Sequence, residues 1–231
     1  MEPERDKREA QIITIDGPAG AGKSTVSKLL ARRLNYLYLD TGAMYRAVAL
    51  RAQKEGVDPN DEGALEKLCR RLKISFQEDR EGQRVICQGE DVTERIRDPE
   101  IGWMASTVSM KRPVREALVR MQRKIGSPGK IIAEGRDTGT VVFPRAKYKF
   151  FLNADPQERA RRRCRELAAR GLAANLGEIE REMKERDEQD SSRQLAPLRP
   201  AEDARAIDST GLTPEEVVER MLEIIRGDLP L

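Results

Sequence analysis

The chain has 231 residues, with 43 lysines and arginines against 40 aspartates and glutamates, a net charge of +3, and no histidine. The near balance of charge argues against a general polyanion binder, and the missing histidine excludes His-based acid–base catalysis, His-containing triads and His metal sites. Cys69, Cys87 and Cys164 lie far apart with no C-x-x-C pair, which reads as free thiols in a reducing compartment rather than a disulfide or zinc framework.

Residues 1–10 are charged and lack an apolar stretch, so they read as a disordered tail rather than a signal peptide. No apolar run is long enough to span a membrane, and the expected setting is the cytoplasm. Residues 11–16 form a short, buried, β-rich segment. Gly17-Pro18-Ala19-Gly20-Ala21-Gly22-Lys23-Ser24-Thr25 follows and fits G-x-x-x-x-G-K-[ST], the phosphate-binding P-loop. Its glycines let backbone N–H groups turn inward around a polyphosphate with no Cβ in the way. Lys23 reaches the β- and γ-phosphates as a point charge, and Ser24 offers a hydroxyl to Mg²⁺. Val26, Leu29, Leu30 and Leu34 then recur at helical spacing, so a helix aims its N-terminus at the anion.

Residues 36–39 read as a second strand, residues 40–42 as a turn, and residues 43–50 as the start of a helix ending near Gly56. Strands alternating with helices imply a parallel sheet, whose ligand crevice lies at the C-terminal ends of the strands. Arg46, one turn into the helix after such a loop, reads as an anion clamp or as a plain surface arginine. From about 57 to 99 the texture changes. A short amphipathic helix uses Leu65, Leu68, Cys69 and Leu72; strands at 74–76 and 85–87 flank a turn at 79–82, and a third edge lies near 89–92. This segment is either an inserted decoration or a flap over a second substrate.

Residues 101–125 are helical with a break at Pro113. A third strand at 130–133 runs into a polar, glycine-rich loop, 134–140, where Arg136 and Asp137 read as ligand-reading groups or as a structural ion pair. Residues 147–152 form a fourth strand, and Asp155-Pro156 starts a helix carrying Arg159, Arg161, Arg162, Arg163, Arg165 and Arg170. Gly171 interrupts it, and a second charged helix covers about 177–190. Two such polar helices are expected to bury little and to move. They read as a solvated hairpin, a nucleic-acid arm or an arginine lid over phosphates. Arg186, Asp190 and Arg193 share one face if the second helix extends that far. A fifth strand at 205–208 closes the sheet, and Thr213 with Glu216 forms a capping box for the last helix.

An acceptor that is itself a phosphate has an oxygen already ionised near neutral pH, which suits a chain without histidine. A hydroxyl acceptor would want a carboxylate base, which Asp40 or Asp137 could supply. The motifs 13–18 with 23–25, Leu39-Asp40-Thr41-Gly42-Ala43-Met44-Tyr45-Arg46, 114–118, Gly135-Arg136-Asp137 with 139–144, 184–187 through Arg193 with 196–198, and Asp208-Ser209-Thr210 closely resemble bacterial cytidylate kinases, a family of P-loop nucleoside monophosphate kinases. The resemblance covers residues 11–226 in order.

It implies transfer of a phosphoryl group from ATP, with Mg²⁺, to CMP or dCMP. It also implies an α/β, three-layer P-loop kinase fold with a central five-stranded parallel sheet flanked by helices. Residues 11–231 then form one domain, with a small β-containing monophosphate-binding insertion at about 57–99 and a helical lid at about 154–171. By the same resemblance Arg46, Arg136 and Arg193 clamp the CMP phosphate, Thr41, Ser106, Arg115 and Asp137 read the cytosine, and Arg186 and Asp190 contact the ribose. Lys23, Arg46, Arg136, Arg186 and Arg193 are then the charges of the transfer step. Thr41 stands where the family often has serine, and Glu134 where some members have aspartate. The expected protein is a monomer acting on small molecules, without nucleic-acid or membrane partners. Its rivals are a P-loop kinase for another small acceptor, such as adenylate or shikimate, and a P-loop module that binds nucleic acid through residues 159–165.

Overall fold

The computed structural model describes residues 11–79 and 82–227. The tail at 1–10 lies outside the described residues, as do Arg80 and Glu81 of the expected turn. The chain divides into two compact units: Asp40–Lys124, and the residues up to Leu39 together with those from Ile125 on.

The discontinuous unit is built on a five-stranded parallel sheet flanked by helices. Its strands are β1 (Ile12–Asp16), β2 (Leu37–Asp40), β6 (Ile131–Gly135), β7 (Tyr148–Asn153) and β8 (Arg205–Asp208), in the order β2-β6-β1-β7-β8. All five residues of β1 are buried, as expected for a central strand covered on both faces. It pairs in parallel with β6 on one side (Ile12 opposite Ile131) and with β7 on the other (Ile13 opposite Tyr148). Helix α1 (Lys23–Leu34) follows β1 directly, and Asn35 ends it in the left-handed conformation, its N–H reaching back to Ala31 and Arg32 carbonyls. The last helix, α8 (Pro214–Gly227), begins at the expected capping box, in which the Glu216 N–H donates to Thr213 Oγ1 and the Thr213 N–H to Glu216 Oε2. Val217, Val218, Met221, Leu222 and Ile225 of α8 share one core with Val26 and Leu30 of α1 and with Ile13, Ile15, Phe150 and Leu152 of the sheet.

Two charged helices, α6 (Pro156–Ala169) and α7 (Leu176–Ser192), form a hairpin in this unit. Asp155 caps α6 by accepting the Gln157 and Glu158 N–H groups, and Asn175 caps α7. The hairpin is less bare than its composition suggests. Ala160, Leu167, Ile179 and Met183 make a small core of its own, joined by Cys164 and by Ala19 of the P-loop.

The contiguous unit contains α2 (Thr41–Lys54), α3 (Glu62–Arg71), an antiparallel sheet of β3 (Ile74–Asp79), β4 (Gly82–Cys87) and β5 (Glu90–Asp91), then α4 (Pro99–Ser109) and most of α5 (Arg112–Gly126). Helix α2 packs on α4, and Met44, Ala47, Val48, Leu65, Leu68, Val108, Val114 and Leu118 are buried. The break between α4 and α5 falls at Met110 and Lys111, and Pro113 sits in the first turn of α5, where its missing N–H is harmless.

Two boundaries differ from expectation. Residues 41 and 42 belong to the first turn of α2 rather than to a loop, because Asp40 accepts the Ala43 N–H at 2.8 Å and starts the helix there. Strand β6 runs through Glu134 and Gly135, so the loop that follows begins only at Arg136. Both residues are buried and pair with Ile15 and Asp16. Cys69, Cys87 and Cys164 are free thiols.

Candidate active site

The P-loop leaves β1 through Gly17, whose backbone (φ 149°) leaves no space for a side chain. A Cβ there would stand 1.9 Å from the Leu152 carbonyl oxygen. Gly20 and Gly22 also have positive φ, 72° and 88°, and turn the loop back toward the start of α1. Lys23 is buried at 7 % exposure and its Nζ donates to the Pro18 carbonyl at 2.6 Å, so the ammonium is folded back across its own loop. Burial, aided by the Arg136 charge, lowers the Lys23 pKa to about 7 against the opposing pull of Glu134, Asp16 and Asp190.

Ser24 Oγ donates to Glu134 Oε1 at 2.7 Å, and the buried Tyr38 hydroxyl donates to the same oxygen at 2.5 Å. The strand ends of β1 and β6 thus place a carboxylate beside the hydroxyl that the P-loop motif assigns to a cation.

Asp16, the last residue of β1, holds the segment that follows Asp137. Its carboxylate accepts the Thr138 N–H at 2.9 Å, the Thr138 hydroxyl at 2.8 Å and the Gly139 N–H at 2.7 Å. Burial raises its pKa from 3.8 to about 6 in spite of these bonds, and the neighbouring Asp137 charge adds to the rise. The segment it grips, Thr138–Val142, is a single π-helical turn, in which the Val142 N–H reaches the Asp137 carbonyl at 3.3 Å. Gly139 fits because a Cβ there would lie 2.8 Å from Thr14 Oγ1.

Asp137 opens a cluster of charges that sequence spacing places together only in part. Arg136 Nε donates to Asp190 Oδ2 at 2.9 Å, Arg193 Nη1 donates to Asp190 Oδ1 at 3.4 Å, and Arg193 Nη2 stands 3.9 Å from Asp137 Oδ1. The Asp190 and Arg193 side chains are only 7 % and 5 % exposed. Burial pushes the Asp190 pKa up, but the charges of Arg136, Arg193 and Arg186 outweigh it and hold the carboxyl below its ordinary value. Helix α7 stops at Ser192, so Arg193 does not continue the helical face of Arg186 and Asp190. Its backbone is extended (ψ 139°), and its Nε is fixed by the Ala196 carbonyl at 2.6 Å.

The arginine run on α6 divides by direction. Arg159 Nη1 donates to the P-loop carbonyl of Ala19 at 3.0 Å, and Arg162 donates to Ser209 Oγ and O at 2.9 and 2.7 Å, while Ser209 Oγ itself donates to the P-loop carbonyl of Ala21. Arg161 and Arg165 point outward and pair with Glu158, and Arg163 pairs with Glu166.

The remaining expected site residues all lie in the contiguous unit. Thr41 is buried in the first turn of α2, and Arg46 is half-buried on the same helix. Ser106 is buried on α4. Arg115 on α5 is 5 % exposed, donates to the Ser109 carbonyl at 3.2 Å and lies over the Tyr45 ring at 5.7 Å. Sequence reasoning misses Asp16, Tyr38, Asp187 and Ser209 as site-building residues. Asp16 ends a strand immediately before the P-loop, and Asp16, Asp187 and Ser209 all lie within motifs that carry the family resemblance.

A family model described as Cytidylate kinase matches residues 13–227. The chain belongs to the cytidylate kinase family. Cytidylate kinase of Geobacter sp. (strain M21) is 56 % identical over 218 residues, 94 % of each chain. That of Geobacter sulfurreducens is 51 % identical over 219 residues, 95 % of this chain and 94 % of the relative. Among solved structures, an uncharacterized protein from Eubacterium ventriosum shares the fold, with a TM-score of 0.51, 12 % identity and coverage of 93 % and 98 % of the two chains. Membership in the family implies ATP as phosphoryl donor and a nucleotide such as CMP as substrate. Among the described residues, no helix is long and apolar enough to cross a membrane, and no group of three or more Cys, Asp or Glu side chains is placed to hold a metal ion.

Proposed function

We propose that the chain transfers the γ-phosphoryl group of ATP to the phosphate of CMP and dCMP, giving CDP and dCDP. The observation that carries this reading is the buried cluster Arg136–Asp137–Asp190–Arg193, in the same unit as the P-loop and at the end of the neighbouring strand. In the transfer a phosphate oxygen of CMP forms the new P–O bond. The bond to the β-bridging oxygen breaks, and ADP leaves with the electron pair. The attacking oxygen is already ionised, so no general base is required, and the protein's task is positioning and neutralising charge. The P-loop N–H groups and Lys23 hold the donor. Arg46, Arg136 and Arg193 neutralise the acceptor phosphate, and Arg186 and Asp190 place the ribose.

Asp137 accepts the exocyclic amine of cytosine, and Thr41, Ser106 and Arg115 keep the base-reading roles that the family resemblance implies. Uracil would turn a carbonyl toward the same carboxylate and bind less well. The donor set around the P-loop fits Mg²⁺, a hard cation that keeps several waters and takes few protein ligands. Ser24 would hold it, with Glu134 orienting the hydroxyl, and the ion would supply charge to the β- and γ-phosphate oxygens. Residues of about 57–99 are read as the monophosphate-binding insertion and about 154–171 as the lid, in a monomer of the cytoplasm. The inward set of Arg159 and Arg162 supports a lid over a nucleic-acid arm, since the outward arginines are paired on their own helix.

The test is ATP-dependent transfer measured on CMP, dCMP, UMP, AMP and shikimate. The highest kcat/KM is expected with a cytidine monophosphate, and a higher value on any other acceptor refutes the reading.

A further inference from the structure

The polar groups of Ala19 are read by one ion pair. Its N–H donates to Asp187 Oδ1 at 3.3 Å, and its carbonyl accepts from Arg159 Nη1 at 3.0 Å. Arg159 Nη1 also donates to Asp187 Oδ2 at 2.5 Å, and Arg159 Nε is fixed by the Ala154 carbonyl at 3.1 Å. The two side chains come from the two arms of the α6–α7 hairpin and are only 10 % and 18 % exposed. Apolar packing reinforces the join. Ala19 rests on the hairpin core of Ala160, Leu167, Ile179 and Met183. At Gly20 a Cβ would stand 2.7 Å from Met183 Cε and 2.9 Å from the Arg159 carbonyl oxygen, so the hairpin touches the bare backbone of the loop.

Asp187 lies directly after Arg186 and three residues before Asp190 on α7. At about 1.5 Å of rise per residue, the anchor on the P-loop and the anchor on Arg136 are separated by roughly 4.5 Å along one helix. A rigid helix held at two such near points cannot follow one anchor without moving at the other. The turn at Ala19 and Gly20 is where the P-loop touches α7.

We propose that Asp187, with Arg159, is a positioning residue that couples filling of the P-loop to the placement of Arg186, Asp190 and Arg193. The inference rests on the reading of the P-loop as donor site and of those three residues as acceptor contacts. Neither Asp187 nor Arg159 touches substrate in this scheme. Their effect is a coupling free energy between two ligands, which differs from the affinity of either one alone.

Calorimetry of CMP binding, on free protein and on protein saturated with a non-hydrolysable ATP analogue, measures that coupling. In the wild type the analogue is expected to tighten CMP binding about fivefold or more, within the usual range of such couplings. In Asp187→Asn the ratio is expected to fall toward one while each ligand alone binds within about threefold of wild type. Arg159→Lys, which keeps the charge but loses the planar fork, is expected to lower the ratio partway. A purely structural role would reduce the melting temperature and leave the ratio at its wild-type value, and that result overturns the proposal. So does a wild-type ratio of one.

Amide exchange in the wild type gives a check independent of the variants' folding: the analogue alone should slow exchange across residues 183–193, and unchanged exchange there counts against the proposal. Failure of CMP to bind the wild type at all would instead strike the functional reading on which this inference stands.

Discussion

Asp16→Asn removes one buried carboxyl, whose charge also helps to hold the Lys23 pKa up. The folded Asp16 holds its proton up to about 6, against an ordinary value of 3.8. At about 1.4 kcal/mol per unit, this difference is worth roughly 3 kcal/mol across the full window. Between the two values the folded state carries more protons than the unfolded one. The contribution of this group to stability is therefore fully present below the ordinary value and is lost as pH rises through about 6. Asparagine is neutral throughout. Its amide offers a donor where the carboxylate accepted from Gly139, so the variant is expected to be the less stable protein at neutral pH. The informative quantity is how the gap changes. From about pH 7.5 to about pH 5 the wild type should gain roughly 1 kcal/mol on the variant. In urea that is a change of roughly 0.5 M in the separation of the two midpoints, with other carboxylates cancelling in the difference. A gap that stays constant with pH, or one that narrows on acidification, refutes the argument that burial outweighs the three hydrogen bonds at Asp16.

Gly17→Ala should lose roughly 3 kcal/mol or more in chemical denaturation, because its Cβ would meet a backbone oxygen that cannot swing away, and a loss under about 1 kcal/mol contradicts that reading. Lys23→Ala should lower kcat by about 100-fold or more with the fold retained by circular dichroism, and near-normal turnover would remove Lys23 from the transfer step. Asp137→Asn should reduce the ratio of kcat/KM for CMP over UMP by about tenfold, and an unchanged ratio speaks against base reading at that position.

The frame of the fold is legible in the sequence because its signals are local. The run of Ile12, Ile13 and Ile15, the glycines of the P-loop and the helical spacing of Val26, Leu30 and Leu34 define strand, loop and helix within a short stretch. Likewise, Thr213 and Glu216 mark a helix start by themselves. What the sequence does not display is which distant side chains share an atom. Tyr38 looks like one more β-strand aromatic, yet its hydroxyl meets Glu134 on the neighbouring strand, beside Ser24. Asp187 sits in a run of charges with nothing to separate it from Glu185 or Glu188, and only the folded hairpin turns it onto Ala19. Arg193 shows the opposite case. Spacing assigns it to a helical face, and its place beside Asp137 instead comes from a chain that has left the helix and is held by the Ala196 carbonyl.

The order of strands bears on how the chain assembles as it is made. β1 is central, and both its partners, β6 and β7, are encoded much later, with the whole of Asp40–Lys124 in between. On the ribosome, Ile12, Ile13 and Ile15 therefore emerge with no strand to pair with, and closing that gap carries the entropy of a long loop. The intervening unit, Asp40–Lys124, is contiguous in sequence. Synthesis should thus yield a folded middle before a folded phosphate loop, the reverse of N-terminal-first order. Force measurements on arrested nascent chains would register this as a first folding event before residue 148 has left the exit tunnel. The P-loop, the first motif to be translated, would then be among the last to take shape.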